Sequence, residues 1–202
     1  LHSDTHSFPT RRSSDLNALR MLRGSALDLF LPDAGDHEYV HLARRMGYRR
    51  ERDLDPQTQL YVDFETHTAV IRAFIERHFG RESLPDPTRG NVVDLVLSDA
   101  PPGELKQRVF EKAGFTDADR AYTNLLALAG RDARRETFAP LAVLGMDMLQ
   151  RSPDADMAFN NWEHFVRALP DAAAHYEQLL AQPRRLEILL GILAGSQFLA
   201  DA

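Results

Sequence analysis

The chain has 202 residues, 44% of them hydrophobic and 27% charged, with a formal net charge of −6 and no cysteine. That balance is ordinary for a globular chain, and its acidic sign argues against nucleic acid as the main partner. Lack of cysteine excludes a disulfide framework, a thiolate zinc site and a cysteine nucleophile, and no apolar run approaches the roughly 20 residues a membrane helix needs, so a soluble, cytoplasmic chain with no membrane partner is expected.

Residues 1–16 read as foreign to the rest. His6-Ser7-Phe8-Pro9-Thr10-Arg11-Arg12-Ser13-Ser14-Asp15-Leu16 resembles the translation of a sequencing adapter, and its Ser, Thr, Pro and Arg content builds no core. Asn17 to Arg23 reads as a short helical remnant, and Gly24 to Gly35 as irregular with a turn at Pro32-Asp33. Asp36 is placed to cap a helix over His37 to Met46 that Gly47 closes, with Tyr39, Val40, Leu42, Ala43 and Met46 as its buried stripe. Asp55-Pro56 then supplies an acceptor at the cap and proline at the first helical position. From Gln57 to Phe79 the apolar residues Leu60, Phe64, Ile71, Phe74, Ile75 and Phe79 recur at threes and fours, so one helix is expected there. A strand over Tyr61 to Thr66, suggested by its β-branched and aromatic content, is set aside because no turn residue interrupts the run.

Gly80 ends that helix, and Arg81 to Gly90, with Pro85, Pro87 and Gly90, is the clearest linker. A short helix over Asn91 to Ser98 and the Pro101-Pro102 pair come next. Further helices are predicted at Gly103–Ala113, Asp117–Ala129, Ala133–Gln150, Pro153–Leu169, Ala172–Ala181 and Arg184–Leu193, punctuated by Gly114, Gly130, Pro153, Pro170, Pro183 and Gly195. Thr116 with Asp119 has a capping-box pattern, Ser152-Pro153 a cap followed by proline, and Pro140 predicts a kink or break. Three stripes read as core: Tyr122, Leu125, Leu126 and Ala129; Phe138, Leu141, Leu144, Met148 and Leu149; and Phe159, Trp162, Phe165, Val166 and Leu169. The run Leu186 to Leu199 is the most apolar in the chain and is expected to be the part the other helices cover, with exposed apolar surface near Leu193 and Phe198. The fold class read from this pattern is all-α, two helical bundles joined by a linker containing proline and glycine.

Chemistry is harder to find. His37-Glu38-Tyr39-Val40-His41 matches the H-E-x-x-H pattern in which two histidines on one helical face bind zinc and the glutamate is the general base. Here His37 falls in the first turn of its helix, and Arg44 and Gly47 follow with no third histidine, so a zinc hydrolase is the minor reading and a solvated helix start the main one. Gly24-Ser25-Ala26-Leu27-Asp28-Leu29 echoes the Gly-Ser/D-x-D signature of nucleotidyltransferases, but Ala26 stands where the first metal-holding carboxylate belongs. Asp117/Asp119 and Asp154/Asp156 have D-x-D spacing in first turns of helices, where carboxylates serve the helix dipole. Arginine groups such as Arg44, Arg45, Arg49 and Arg50 read as solvated faces. No catalytic, cofactor-binding or metal-binding residue is assigned.

A family resemblance adds to this. Leu42-Ala43-Arg44-Arg45-Met46-Gly47-Tyr48, with His67, Val70, Arg72, Phe74 and Phe79, resembles the helical segment closing the first catalytic half of glutamine synthetase adenylyltransferase. Ala113-Gly114-Phe115, Asp119-Arg120-Ala121, Asn124-Leu125, Ala158-Phe159-Asn160-Asn161 and Gly195-Ser196-Gln197-Phe198-Leu199-Ala200-Asp201 are similar to the helical region opening the other half. The resemblance implies that 17–80 ends the first half, 81–101 links, and 102–202 starts the second, with the chain cut at both ends. It also implies a parent that uses ATP and magnesium, acts on glutamine synthetase and answers to the PII signal protein. Because both catalytic signatures are missing, the implied role for this chain is a non-catalytic spacer that couples two reaction centres. The competing expectation is a free-standing helical adaptor.

Overall fold

In the computed structural model the described residues are 31–51, 53–80, 86, 90–131 and 133–195. The expectations for 1–30, including the foreign segment, the helical remnant and the Gly24–Leu29 echo, lie outside them, as do most of the 81–90 linker and Phe198. Among the described residues the chain is all-α: nine helices, no strand, and one isolated antiparallel bridge between Glu51 and Leu54. No helix there is long and apolar enough to cross a membrane. The chain divides into two compact units, 1–61 and 62–202.

In the first unit, helix α1 (His37–Arg45) buries Tyr39, Leu42 and Ala43. These pack with Leu60, the partly buried Leu31, Met46, Tyr48 and Tyr61 closing around them. Asp36 occupies the cap position without making a side-chain cap bond. The other end obeys the expected chemistry: Gly47 takes φ 92°, Tyr48 N–H donates to Ala43 O at 3.1 Å, and Gly47 N–H donates to Arg44 O at 3.1 Å. That pair of bonds is a Schellman ending, which a left-handed residue makes possible and glycine makes cheap. Helix α2 (Pro56–Phe79) starts as predicted, Asp55 Oδ1 accepting from Thr58 N–H at 2.8 Å, and it runs unbroken through the stretch that could be read as a strand.

The unit boundary falls inside α2, between Tyr61 and Val62. The physical reason is that the later turns of α2 are bonded to residues 91–98: Arg72 to Asp94, Asn91 to Glu65, and Ser98 to Glu76.

The second unit holds those turns of α2 and seven more helices: α3 (Val92–Leu97), α4 (Gly103–Lys112), α5 (Ala118–Ala129), α6 (Ala133–Leu149), α7 (Ala155–Arg167), α8 (Ala172–Ala181) and α9 (Pro183–Gly195). Helix α6 packs on α3, α8 and α5, while α7 packs on α9 and α5. A line of rings threads them: Phe110, Phe115, Phe159, Trp162, Phe138 and Tyr176, with successive centroids 5.3, 5.3, 6.0, 5.8 and 5.1 Å apart. Trp162 is fully buried, and Gly145 of α6 lets its ring in close: a Cβ there would lie 3.0 Å from Trp162 Cζ3. The centre of the unit is therefore this aromatic line between α6 and α7. Helix α9 lies on α7 with Leu186, Leu190 and Leu193 buried, while Ile188 and Ile192 are exposed. The most apolar run is thus a flank and not the part all the others cover, and Leu193 is inside.

Two caps differ from expectation. Asp117 caps α5, its carboxylate accepting from Arg120 N–H at 2.9 Å, while the Thr116 backbone and hydroxyl both donate to Asp156 of α7, at 2.8 and 2.7 Å. Asp154 caps α7 in place of Ser152, accepting from Met157 N–H at 2.8 Å. Ionised carboxylates are the stronger acceptors for helix-start amides and suit the positive end of the dipole. Pro140 neither ends nor splits α6, which continues from Ala133 to Leu149. It removes one rung, at Glu136 on the exposed side, and the buried Phe138, Leu141 and Leu144 hold the rest.

Candidate functional site

His37, Glu38 and His41 all lie on the exposed side of α1, with His37 as its first residue. Among the described residues no group of three or more histidine, aspartate or glutamate side chains is placed to hold a metal ion. The two histidines lie on one helix face, as the spacing requires, and no third ligand joins them among the described residues. Three of the four D-x-D carboxylates are spent on backbone and neighbouring helices: Asp117 and Asp154 are caps, and Asp156 ties α7 to the turn before α5. A shallow depression lined by Glu104, Gln107, Arg108, Glu111 and Lys112 belongs to one face of α4 alone, with Gln107 donating to Glu111 across it at 2.6 Å.

The most developed polar cluster lies where α2 meets α3, and sequence reasoning missed it. Arg72 Nε donates to Asp94 Oδ1 at 2.6 Å and Nη2 to Oδ2 at 2.7 Å, the two-point geometry that a guanidinium and a carboxylate favour. Asp94 is buried and also accepts from Asn91 N–H at 2.6 Å, while Asn91 Oδ1 accepts from Val93 N–H at 2.7 Å, so the two side chains form a capping box for α3. Asn91 Nδ2 reaches back to α2, donating to the Glu65 carbonyl at 3.1 Å and to the Glu65 carboxylate. Gly90 makes room, since a Cβ there would sit 2.7 Å from Asp94 Oδ2. The signal that could have found part of this was Asn91-x-x-Asp94 before an apolar run; no local pattern announces Arg72 or Glu65. Chemically the cluster is a clamp. Asp94 receives three donors, which fix it between the two helices.

Other ties between the helices are single bonds. Asn161 Nδ2 donates to Leu193 O at 2.9 Å inside the core, joining α7 to α9. Tyr176 Oη donates to Leu128 O at 2.7 Å and accepts from Arg134 Nη2 at 3.2 Å, and burial raises its pKa above the ordinary value against the opposing effect of Arg134.

His175 of α8 packs edge-on against Phe165, centroids 5.5 Å apart, and its Nε2 is buried without a hydrogen-bond partner. Burial lowers its pKa below the ordinary 6.5. The unfolded chain therefore binds this proton first as pH falls, and stability is lost from about pH 6.5 downward through the lowered folded value. The denaturation midpoint of the protein is expected to drop between about pH 7 and about pH 5, and His175→Phe is expected to flatten that slope. Parallel slopes for the two proteins would contradict this assignment.

Compared with known proteins, the chain matches no family, no curated protein and no solved structure.

Proposed function

We propose that the chain is a non-catalytic helical segment of a glutamine synthetase adenylyltransferase and adenylyl-removing enzyme, spacing its two nucleotidyltransferase sites and coupling them. One observation carries the reading. Residues that supply the resemblance about forty positions apart meet in space: Phe115 lies edge-on to Phe159 at 5.3 Å, and Arg120 Nη2 donates to Asn160 Oδ1 at 2.9 Å. Segments far apart in the chain thus form one joint between the α4–α5 turn and α7. The commitment of Asp117, Asp154 and Asp156 to caps and interhelical bonds fits a supporting role, since nucleotidyl transfer needs a carboxylate pair free to hold metal. ATP, magnesium, glutamine synthetase and the PII signal protein belong to the parent on this reading.

The test is to read the coding DNA on both sides. A Gly-Ser/D-x-D signature on each side is expected, and a stop codon directly after Ala202 with no such signature upstream overturns the proposal. The purified chain with ATP, magnesium and glutamine synthetase is expected to transfer no adenylyl group. Coupling is tested in the full-length parent, where disrupting the core at Trp162 is expected to uncouple the two activities. A free-standing adaptor is the second reading, favoured by the exposed phenylalanines of α2, and it predicts the stop codon.

A further inference from the structure

The amphipathic character of α2 is inverted. The face bonded to α3 carries Glu65, Arg72 and Glu76 around the fully buried Ala69. The opposite face carries Phe64 and Phe74, which are 41% and 55% exposed, with the half-buried Ile71 and Ile75. Phe74 stacks on His78, centroids 4.2 Å apart, so even the aromatic contacts on this side are made along the helix itself. A monomer gains nothing by presenting such a face to water, and apolar stripes of this kind mark association surfaces.

Its spacing and charges select the occupant. Phe64, His67, Ile71, Phe74 and His78 alternate at threes and fours, the seam of a two-helix coiled coil. One flank of that seam carries Asp63, Val70 and Arg77 at sevens, negative toward the start of the helix and positive toward its end. In an antiparallel pair, equivalent flank positions of the two helices face each other. Asp63 of each copy then meets Arg77 of the other, Val70 meets Val70 across the two-fold axis, and Phe64 layers with Phe74. Arg77 is exposed and Val70 is 49% exposed. A carboxylate has room for several donors, so contacts Asp63 already makes within the chain do not prevent the pairing. A parallel pair would turn this flank toward the opposite flank of the partner helix, setting Asp63 near Thr68 and Val70 near Ile75, and the attraction between Asp63 and Arg77 would be lost.

We propose that α2 pairs antiparallel with α2 of a second copy of this chain through Phe64, Ile71 and Phe74, with Asp63 and Arg77 setting the direction. The seam from Phe64 to Phe79 is about 24 Å long at the helical rise. An interface of that length is small, so the dimer is in concentration-dependent exchange with the monomer.

Light scattering or sedimentation equilibrium of the 202-residue chain over a wide concentration range is expected to show a mass rising from that of one chain to that of two. Phe74→Glu is expected to abolish the rise with helix content unchanged, because the site is exposed. Arg77→Glu is expected to weaken association at least tenfold, and D63R/R77E to recover it. As the chain has no cysteine, V70C supplies a single thiol, and a short bismaleimide is expected to link V70C chains into dimers. A monomer at every concentration, a dimer indifferent to Phe74→Glu, or V70C chains that do not cross-link overturns the proposal.

Discussion

Replacing Trp162 with alanine is expected to destabilise the second unit by about 3–5 kcal/mol, the range for removing a large buried ring. The indole is fully buried between Phe138 and Phe159, and Gly145 allows its edge to lie against the backbone of α6. Both α6 and α7 thus lose contacts at once, and the cavity cannot be closed by a side chain at Gly145. Trp162→Phe is expected to cost much less, because the indole Nε1 is buried without a partner and its removal breaks no hydrogen bond. Urea denaturation followed by far-ultraviolet circular dichroism measures both, and an alanine variant within about 1 kcal/mol of the parent would show that the aromatic line is not the centre of the core.

The helix breaks were legible because glycine marks them. Gly47, Gly80, Gly114 and Gly130 all take left-handed φ, at 92°, 83°, 84° and 64°, where a side chain would be strained. The turn at Gly114 also shows how a local signal can fix a distant contact: Phe115 N–H donates to Phe110 O at 3.0 Å, and the two rings meet edge-on before Phe115 meets Phe159.

The sequence conceals direction. Periodicity identifies Phe64, Ile71, Phe74 and Ile75 as one stripe of α2, but it does not say whether the stripe or its polar opposite turns inward. Here Asp94 and Asn91, beyond an intervening segment, draw Arg72 and Glu65 toward α3 and leave the phenylalanines outside. The same limit explains α9: hydropathy ranks it first, yet only one of its sides meets α7, α6 and α8, so Leu186 and Leu190 go in while Ile188 and Ile192 stay out. The cap of α7 was misplaced by two residues for a more local reason, since Ser152 and Asp154 are both capable acceptors and only the carboxylate faces Met157 N–H. The histidine pair of α1 was visible from spacing, but whether a third ligand would reach it depended on tertiary placement.

The polar clamp between α2 and α3 sets the other large expectation. Asp94→Ala is expected to cost about 2–3 kcal/mol, below the roughly 3–5 kcal/mol for breaking a fully buried pair, because the Arg72 side chain keeps 28% of its exposure to water. Part of that loss is the abandoned guanidinium and part is the capping box, since the same carboxylate receives Asn91 N–H. Arg72→Met separates the two: it removes the ion pair, leaves the cap in place, and is expected to cost less than Asp94→Ala. The double variant is expected to fall short of the sum by about 1 kcal/mol or more, the sign of side chains acting as a unit. Asp147 on α6 and Arg151 in the turn after it provide the comparison, a pair at 2.9 Å with both side chains more than half exposed, whose removal is expected to change stability by no more than about 0.5 kcal/mol and to be masked by salt. If Arg72→Met and Asp94→Ala prove strictly additive, the clamp does not act as a unit and only directs the two helices. In that case the inward turn of the polar face of α2, and with it the exposure of Phe64 and Phe74, is fixed by shape alone.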